Sequence, residues 1–299
     1  MDVIIDTDPG IDDAMALMLA LRSKELNVKA ISTTYGNVSV SQAVRNTLTV
    51  LEILSCRNSP VIIKGAAGPM HRMRLKKDPR VHGKNGLADA KVPSLHVKPA
   101  IHNKIGILAK MTDAATLICL GPLTNLAELI FKYPSSVLGL KRVIIMGGAL
   151  TVAGNITEFA EHNIYCDPEA AKIVFESGLD ITMVGLDVTK KAILTEDDLK
   201  NMNLCDVRLR FINSIAVHYM DFYRKYRRVN GCFLHDPLAV AVAIDPGVVK
   251  TRKAAVGVRT SGIKRGQIFA KKGSGPNINV CLDLDKDRFM ELFRSRVLS

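Results

Sequence analysis

Residues 2–17 read DVIIDTDPGIDDAMAL: an apolar run, Val3-Ile4-Ile5, flows into Asp6-Thr7-Asp8-Pro9-Gly10-Ile11-Asp12-Asp13 and then into a second apolar stretch. Consecutive β-branched residues predict a strand over Val3–Asp6, and Ala14–Leu21, apolar on every side, predicts a buried helix. The alternation continues. Strand signals fall at Val28–Thr34, Val61–Lys64, Thr116–Leu120, Arg142–Met146 and Ile181–Gly185. Between them, Ser41–Leu54 sets Val44, Leu48, Leu51 and Leu54 at helical spacing, and Asp167-Pro168-Glu169 opens a helix to Phe175 with an N-cap and a first-turn proline. Apolar strands alternating with helices imply an α/β protein with a mostly parallel sheet and helices on both faces. Leu204–Asp236 reads as helical and carries Phe211, Tyr219, Phe222, Tyr223 and Tyr226; Val248–Val280 has strand character and many cations; Lys286–Val297 reads as a closing helix. With no repeat, low-complexity tract or linker, one domain over residues 1–299 is expected.

Open parallel sheets bind ligands beyond the carboxyl ends of their strands. The polar clusters follow strands: Thr7–Asp13, Gly36-Asn37, Gly121–Asn125 and Gly147-Gly148. One rim of the sheet is therefore loaded with Asp, Asn, Gly and Thr.

Composition narrows the function classes. The 299 residues carry 41 Lys+Arg against 29 Asp+Glu, a net charge of +12, and 47% are hydrophobic, too many for a disordered chain. Apolar runs such as Ala239–Ile244 and Ile144–Met146 fall far short of the roughly 20 residues of a membrane helix. The opening MDVIIDTDPG lacks the basic start of a secretory signal. The six cysteines form no C-x-x-C pair, and reducing, cytoplasmic conditions are expected. The positive charge is spread over His71–Lys84, Arg224–Arg228 and Lys250–Lys272, and aromatics are only 5%, so neither nucleic acid nor a membrane is the expected partner.

Four carboxylates within eight residues repel one another. A fold tolerates them where a positive group sits among them or where some stay protonated. A hard cation with oxygen ligands, such as Ca²⁺, is the simplest solution, and Pro9-Gly10 turns the chain so that acids on both sides face one point. The spacing is not that of an EF-hand, which needs Gly at its sixth position and Glu at its twelfth. Plain helix capping by Asp12 or Asp13 leaves Asp6 and Asp8 without a purpose. A phosphatase of the haloacid dehalogenase type, with Asp6 as nucleophile and Asp8 as acid/base, is the alternative. Further on, Asn155, Glu161 and Asn163 offer the donors and acceptors that read sugar hydroxyls. His235-Asp236-Pro237 opens an apolar helix, where His235 is an acid/base candidate and Asp236 a possible cap. His82 lies at the end of a basic stretch that reads as a loop over the site or as a solvated face.

Together these segments resemble the nucleoside hydrolases, the inosine-uridine preferring nucleoside N-ribohydrolase family. The matching pieces are DTDPGIDDAMAL at Asp6–Leu17, GN at Gly36-Asn37, HGKNGL at His82–Leu87, GPLTNLA at Gly121–Ala127, MGGA at Met146–Ala149, GNIT at Gly154–Thr157, AEHNIYCDPEAA at Ala160–Ala171, MVGLDVT at Met183–Thr189 and HDPLAVA at His235–Ala241. The resemblance implies an open, Rossmann-like sheet and hydrolysis of ribonucleosides, such as uridine or inosine, to ribose and base. It further implies a homodimer or homotetramer. By the same resemblance Asp8, Asp13, Asp236 and the Leu120 carbonyl would ligate calcium, and Asp8 would be the general base. Asp12, Asn155, Glu161, Asn163 and Asp236 would hold the ribose, with Asn37 nearby and Asp6 supporting the acidic loop. His235 would be the acid for the leaving base, with His82 near that base. Where much of the family has Phe, this chain has His162, which would lie beside the ribose and base. The purine-specific branch stacks its substrate on Trp, which this chain lacks.

Overall fold

The structure is a computed structural model that describes residues 1–56, 58–73, 75, 78–92, 94–271 and 275–299. Its strands in chain order are β1 (Asp2–Thr7), β2 (Asn27–Thr33), β3 (Val61–Lys64), β4 (Ile101–His102), β5 (Thr116–Cys119), β6 (Arg142–Met146), β7 (Ile181–Val184), β8 (Ile193–Leu194), β9 (Cys232–Phe233), β10 (Val249–Val258), β11 (Ile268–Ala270) and β12 (Asn277–Leu284). Ten of them form one sheet in the order β11-β10-β12-β7-β6-β5-β1-β2-β3-β4. From β7 to β4 every pairing is parallel, β12 joins β7 in parallel, and β10 runs antiparallel to β11 and β12.

The pleat of β1 explains the two-sided cover. Successive side chains of a strand face opposite ways. Val3 and Ile5 enter a core shared with helices Ile11–Leu21, Val207–Arg227, His235–Ile244 and Lys286–Phe293. Ile4 enters a second core, against helices Ile105–Ala109, Thr124–Lys132 and Pro168–Phe175. All three side chains are fully buried, each contributing about 1.5–3 kcal/mol of hydrophobic stabilisation. The parallel α/β sheet covered on both faces is as the sequence pattern implies.

The central position of β1 places the site. It pairs with β2 on one side and β5 on the other, so the strand order reverses there and the loops beyond β1 and β5 part to leave a crevice. The acidic loop follows β1, and Leu120-Gly121 follows β5.

Three local expectations need correction, and three short strands were not expected. The first helix starts at Ile11, not near Ala14, with Gly10 as N-cap, so Asp12 and Asp13 lie inside its first turn. Leu204–Asp236 is not one helix. The helix Val207–Arg227 ends at Arg228 in the left-handed conformation (φ 56°), and β9 intervenes before a new helix begins at His235. Asp236 is not a cap: Leu234 occupies that place and Asp236 lies buried in the first turn. The two-residue strands β4, β8 and β9 have no pattern long enough to be seen in the sequence. Asp167, by contrast, does cap its helix, accepting from Ala170 N at 3.1 Å. Of the basic stretch His71–Lys84, Arg74, Lys76 and Lys77 lie outside the described residues, as does Lys272 at the end of the basic tail. Residues 79–82 form one helical turn that brings His82 against the acidic loop.

Candidate active site

The turn after β1 is built around Asp13. Its carboxylate accepts from Thr7 Oγ1 (2.5 Å), Asp8 N (3.3 Å), Gly10 N (2.9 Å) and Asn37 Nδ2 (3.1 Å). These donors from two loops fold the chain back, so that Asp8 and the first turn of the helix face one volume. Asp6 lies below, in the strand. Its Oδ1 accepts from Ser32 Oγ and from Asn125 Nδ2 (2.7 Å), while Oδ2 has no partner. Burial pushes Asp6 up to about 6. Asp6 is buried in the sheet, its Oδ1 tied through Ser32 to β2 and through Asn125 to the helix Thr124–Lys132.

Asp8 is fully buried, with Asn37 N donating to Oδ2 at 2.5 Å and no partner for Oδ1. Gly36 and Gly121 flank it so closely that a Cβ on either would stand 2.0 Å from Oδ2 or 2.4 Å from Oδ1. Both positions require glycine for that approach. Asp12, Asp13 and Asp236 each offer a carboxylate oxygen within 4.8 Å of the others. Burial, and then the neighbouring acids, hold Asp8, Asp12 and Asp236 well above the usual carboxylate range. Asp8 adds its charge to Asp236 without belonging to the triplet. The Leu120 carbonyl borders this floor and accepts from Asn163 Nδ2 at 2.7 Å. An oxygen-only donor set, a crowd of acids out of water and one orphaned carboxylate oxygen fit a hard divalent cation.

A second group of residues comes from the chain after β6. Glu161 caps the helix His162–Cys166, accepting from Asn163 N (2.8 Å), Ile164 N (3.2 Å) and, across the turn, Gly148 N (2.9 Å). These bonds fix a buried carboxylate beside Asn163. Asn155 accepts from His162 N at 2.9 Å through its side chain, and its carbonyl accepts from Arg227 Nη2 at 2.9 Å. The His162 ring stands 3.7 Å from Cys166 Sγ on its own helix.

The third side is a wall of aromatic rings and histidines. His82 Nδ1 accepts from Ile11 N at 3.1 Å, its ring 5.4 Å from that of Tyr219. Tyr219 lies near Asp12; its hydroxyl is 3.4 Å from that of Tyr223, and Tyr223 lies 3.1 Å from His235 Nε2. Thr189 Oγ1 closes the chain, 2.7 Å from His235 Nδ1. Burial pushes His235 down to about 3, helped by the Lys190 charge; burial and then the other histidines do the same to His82. Both rings are neutral at neutral pH. Tyr226 instead points outward, 44% exposed, with Arg80 5.2 Å and Lys225 5.3 Å from its ring centre.

Contacts thus link Asp8, Asp12, Asp13 and Asp236 with Asn37, link Asn155, Glu161, His162 and Asn163 with the Leu120 carbonyl, and link His82 with His235 through Tyr219 and Tyr223, whereas Tyr226 lies apart and Asp6 sits in the strand. The sequence reading missed Tyr219, Thr189 and Asn125. Tyr219 and Tyr223, four apart on a helix, share one face, and that spacing was the available signal.

The sequence matches the family described as inosine-uridine preferring nucleoside hydrolase over residues 3–291. The chain belongs to that family. Uridine nucleosidase 1 of Arabidopsis thaliana is 35% identical, covering 99% of this chain and 93% of its own length. The pyrimidine-specific ribonucleoside hydrolase RihA of Salmonella enteritidis is 36% identical, covering 99% and 98%. Among solved structures, a purine-preferring ribonucleoside hydrolase from Gardnerella vaginalis superposes with a TM-score of 0.91 at 32% identity, covering 99% of this chain and 98% of that one. A plant nucleoside hydrolase gives 0.92, also at 32% identity, covering 100% and 99%. This nucleoside hydrolase is thus an N-ribohydrolase, cleaving ribonucleosides to ribose and free base. Among the described residues, no helix is long and apolar enough to cross a membrane.

Proposed function

We propose that the crevice hydrolyses the N-glycosidic bond with Asp8 as general base, at a Ca²⁺ site formed by Asp8, Asp13, Asp236 and the Leu120 carbonyl. When bound, calcium offsets the carboxylate repulsion and lowers the pKa of a water beside it. Asp8 Oδ1, the buried oxygen without a partner, carries this reading, because it is free to take that water's proton. Asp12, Asp236 and Asn163 take the ribose hydroxyls, and Glu161 and Asn155 hold the far side of the sugar. Glycoside cleavage builds positive charge on the ring as the bond to the base stretches. The surrounding carboxylates stabilise that charge in a site from which water is excluded. On the opposite wall, His235 is the acid for the leaving base: its ring, neutral at rest, takes up a proton from solvent and passes it on, returning to the neutral form as the base departs, and His82 and His162 border the base. The six free cysteines accord with a reducing cytosol.

The test is release of reducing sugar and free base from inosine, uridine, cytidine and adenosine with and without calcium, beside 2′-deoxyuridine. Equimolar ribose and base, lost on chelation, is the expected result. A site that pairs a hydroxyl rejects an analogue lacking it by about 10⁴–10⁵. Equal turnover of uridine and 2′-deoxyuridine would remove Asp12 and Asn163 from the ribose-binding role.

A further inference from the structure

Residues 82–90 form a closed turn of their own. Asn85 Oδ1 accepts from Leu87 N (2.7 Å) and Asp89 N (3.0 Å), Asp89 Oδ1 accepts from Asn85 N (3.0 Å), and Ala88 N donates to His82 O at 2.8 Å. These bonds fix the shape of the segment but not its place. Its place is set by the fully buried Leu87 and by hydrogen bonds at both ends of the turn. Ile11 N donates to His82 Nδ1 at 3.1 Å, and Asn46 Nδ2 donates to Asn85 O at 2.8 Å. The same amide nitrogen donates to Pro9 O, also at 2.8 Å. Both partners are backbone carbonyls, which only accept, and Gln42 Nε2 donates to Asn46 Oδ1 at 2.9 Å, so the amide has one orientation. Asn46 is buried on the helix Val40–Ile53. We propose that Asn46 is a positioning residue: its amide clasps the turn of Asp8 and Pro9 to the segment carrying His82, and so keeps His82 docked on the side of the crevice that receives the base.

The two sides of the clasp differ in how else they are held. The acidic turn is already closed by the Asp13 carboxylate, which gathers Thr7 Oγ1, Asp8 N, Gly10 N and Asn37 Nδ2. It keeps its shape without Asn46. The segment leans on the clasp, and its backbone comes unusually close to it. A Cβ at Gly86 would stand 2.8 Å from Asn46 Nδ2 and 2.4 Å from Val38 Cγ1, so only glycine allows this approach. The far end of the segment reports whether the clasp is closed. Ile11 opens its helix, where the first N–H groups have no partner inside the helix, and its acceptor is His82. When the clasp opens, His82 leaves, the Ile11 N–H is released to water and the crevice loses part of its wall. Nucleoside then binds well only to the molecules whose segment is docked. Apparent affinity falls by the docked fraction, while turnover of the bound complex is unchanged.

This role rests on the proposed place of His82 beside the base, and the test separates the two. In amide hydrogen exchange of the calcium-loaded enzyme, followed by NMR, the near-isosteric Asn46→Leu removes two hydrogen bonds and should speed exchange of the Ile11 amide about tenfold. The Ala14 amide, which donates to Gly10 O in the same turn, should keep its protection. KM for uridine or inosine should rise about tenfold while kcat stays within about threefold. A loss of folded enzyme does the reverse, lowering kcat at an unchanged KM. His82→Ala should raise KM to a similar extent, and adding Asn46→Leu to it should change KM by less than about twofold, because the two residues act through one another. Gly86→Ala presses on the same contact from the segment's side and should give the same pattern, which keeps the test available if Asn46→Leu does not fold. An Ile11 amide that exchanges at the wild-type rate in these variants overturns the proposal, and so does a fall in kcat at constant KM. If the Ile11 amide responds while neither Asn46→Leu nor His82→Ala moves KM, the clasp stands and the place of His82 beside the base falls.

Discussion

The floor and the wall of the crevice handle buried polar groups in opposite ways. The floor gathers Asp8, Asp12, Asp13 and Asp236 with no basic side chain hydrogen-bonded to any of them among the described residues, and three of the four titrate well above the usual range. The wall gathers Tyr219, Tyr223, His235 and Thr189, all buried, and leaves each with a hydrogen-bond partner inside the group. Repulsion among the floor acids is not relieved within the chain, and burying each unpaired charge costs several kcal/mol. The wall is satisfied and neutral. In the proposed function such a floor calls for something positive from outside, first a cation and then the charge that develops on the sugar. The wall is an instruction to keep protons in place.

The largest effect expected from this contrast is at Asp8. Asp8→Ala removes a cation ligand and the proton acceptor together, so kcat/KM should fall by about 10⁴ or more, at or beyond the upper end for a single general base. Circular dichroism should report an intact fold, because among the described residues the Asp8 side chain accepts one protein hydrogen bond. A rate within about tenfold of wild type breaks the comparison, since the floor would then be structural. Calcium removal follows. A ligand that binds the folded state at 100 times its Kd stabilises by about 2.7 kcal/mol. Chelation should therefore lower Tm by several degrees and abolish activity. His235→Ala should show the same calcium-dependent rise in Tm as wild type. A chelator-insensitive Tm would mean that the floor relieves its repulsion by protonation instead.

The same contrast decides what the sequence could reveal. The floor was legible because its parts are contiguous: Asp8, Asp12 and Asp13 lie in one turn, and only Asp236 comes from afar. Strand β1 was legible for a related reason, since Val3, Ile4 and Ile5 are buried on both faces and no other element suits them. The wall was much less legible. Thr189 and His235 meet across 46 residues of sequence, through two-residue strands that carry no periodicity. Tyr219 reads as one more core aromatic until the helix places it beside Asp12. The supposed helix through Leu204–Asp236 shows the limit most clearly. Composition favoured helix throughout, and what ended it was a single left-handed residue, Arg228, together with Gly231, where a Cβ would stand 2.3 Å from Leu194 O.

A smaller effect is expected on the wall. His235→Ala should slow natural nucleosides by about 10²–10³-fold, within the usual range for a general acid. It should leave p-nitrophenyl riboside nearly unchanged, whereas Asp8→Ala slows both. The ratio of the two rates sharpens the comparison, because it separates loss of leaving-group protonation from loss of water activation. Equal slowing of both substrates would move His235 from proton donor to packing.

The smallest effect is on acid stability, and it tests the neutrality of the wall directly. His82, pushed down to about 3 from an ordinary value near 6.5, refuses a proton that the unfolded chain accepts between those values. Its contribution to stability is complete above about pH 6.5 and is lost as the pH falls toward 3. Asp6, pushed up to about 6 from 3.8, has the opposite sign: the folded protein holds its proton more tightly, so this contribution is complete below about pH 3.8 and is lost as the pH rises through 6. Between about pH 4 and pH 6 the two slopes oppose each other. With calcium in excess, His82→Gln should make Tm fall less steeply on acidification, by about 1.5–2 °C for each kcal/mol of linkage removed. Asp6→Asn, which keeps the shape and removes the titration, should make the fall steeper. If His82→Gln leaves the acid limb of the Tm profile unchanged, His82 accepts a proton in the folded protein, and the side of the crevice that borders the base is charged under the conditions where the floor is too.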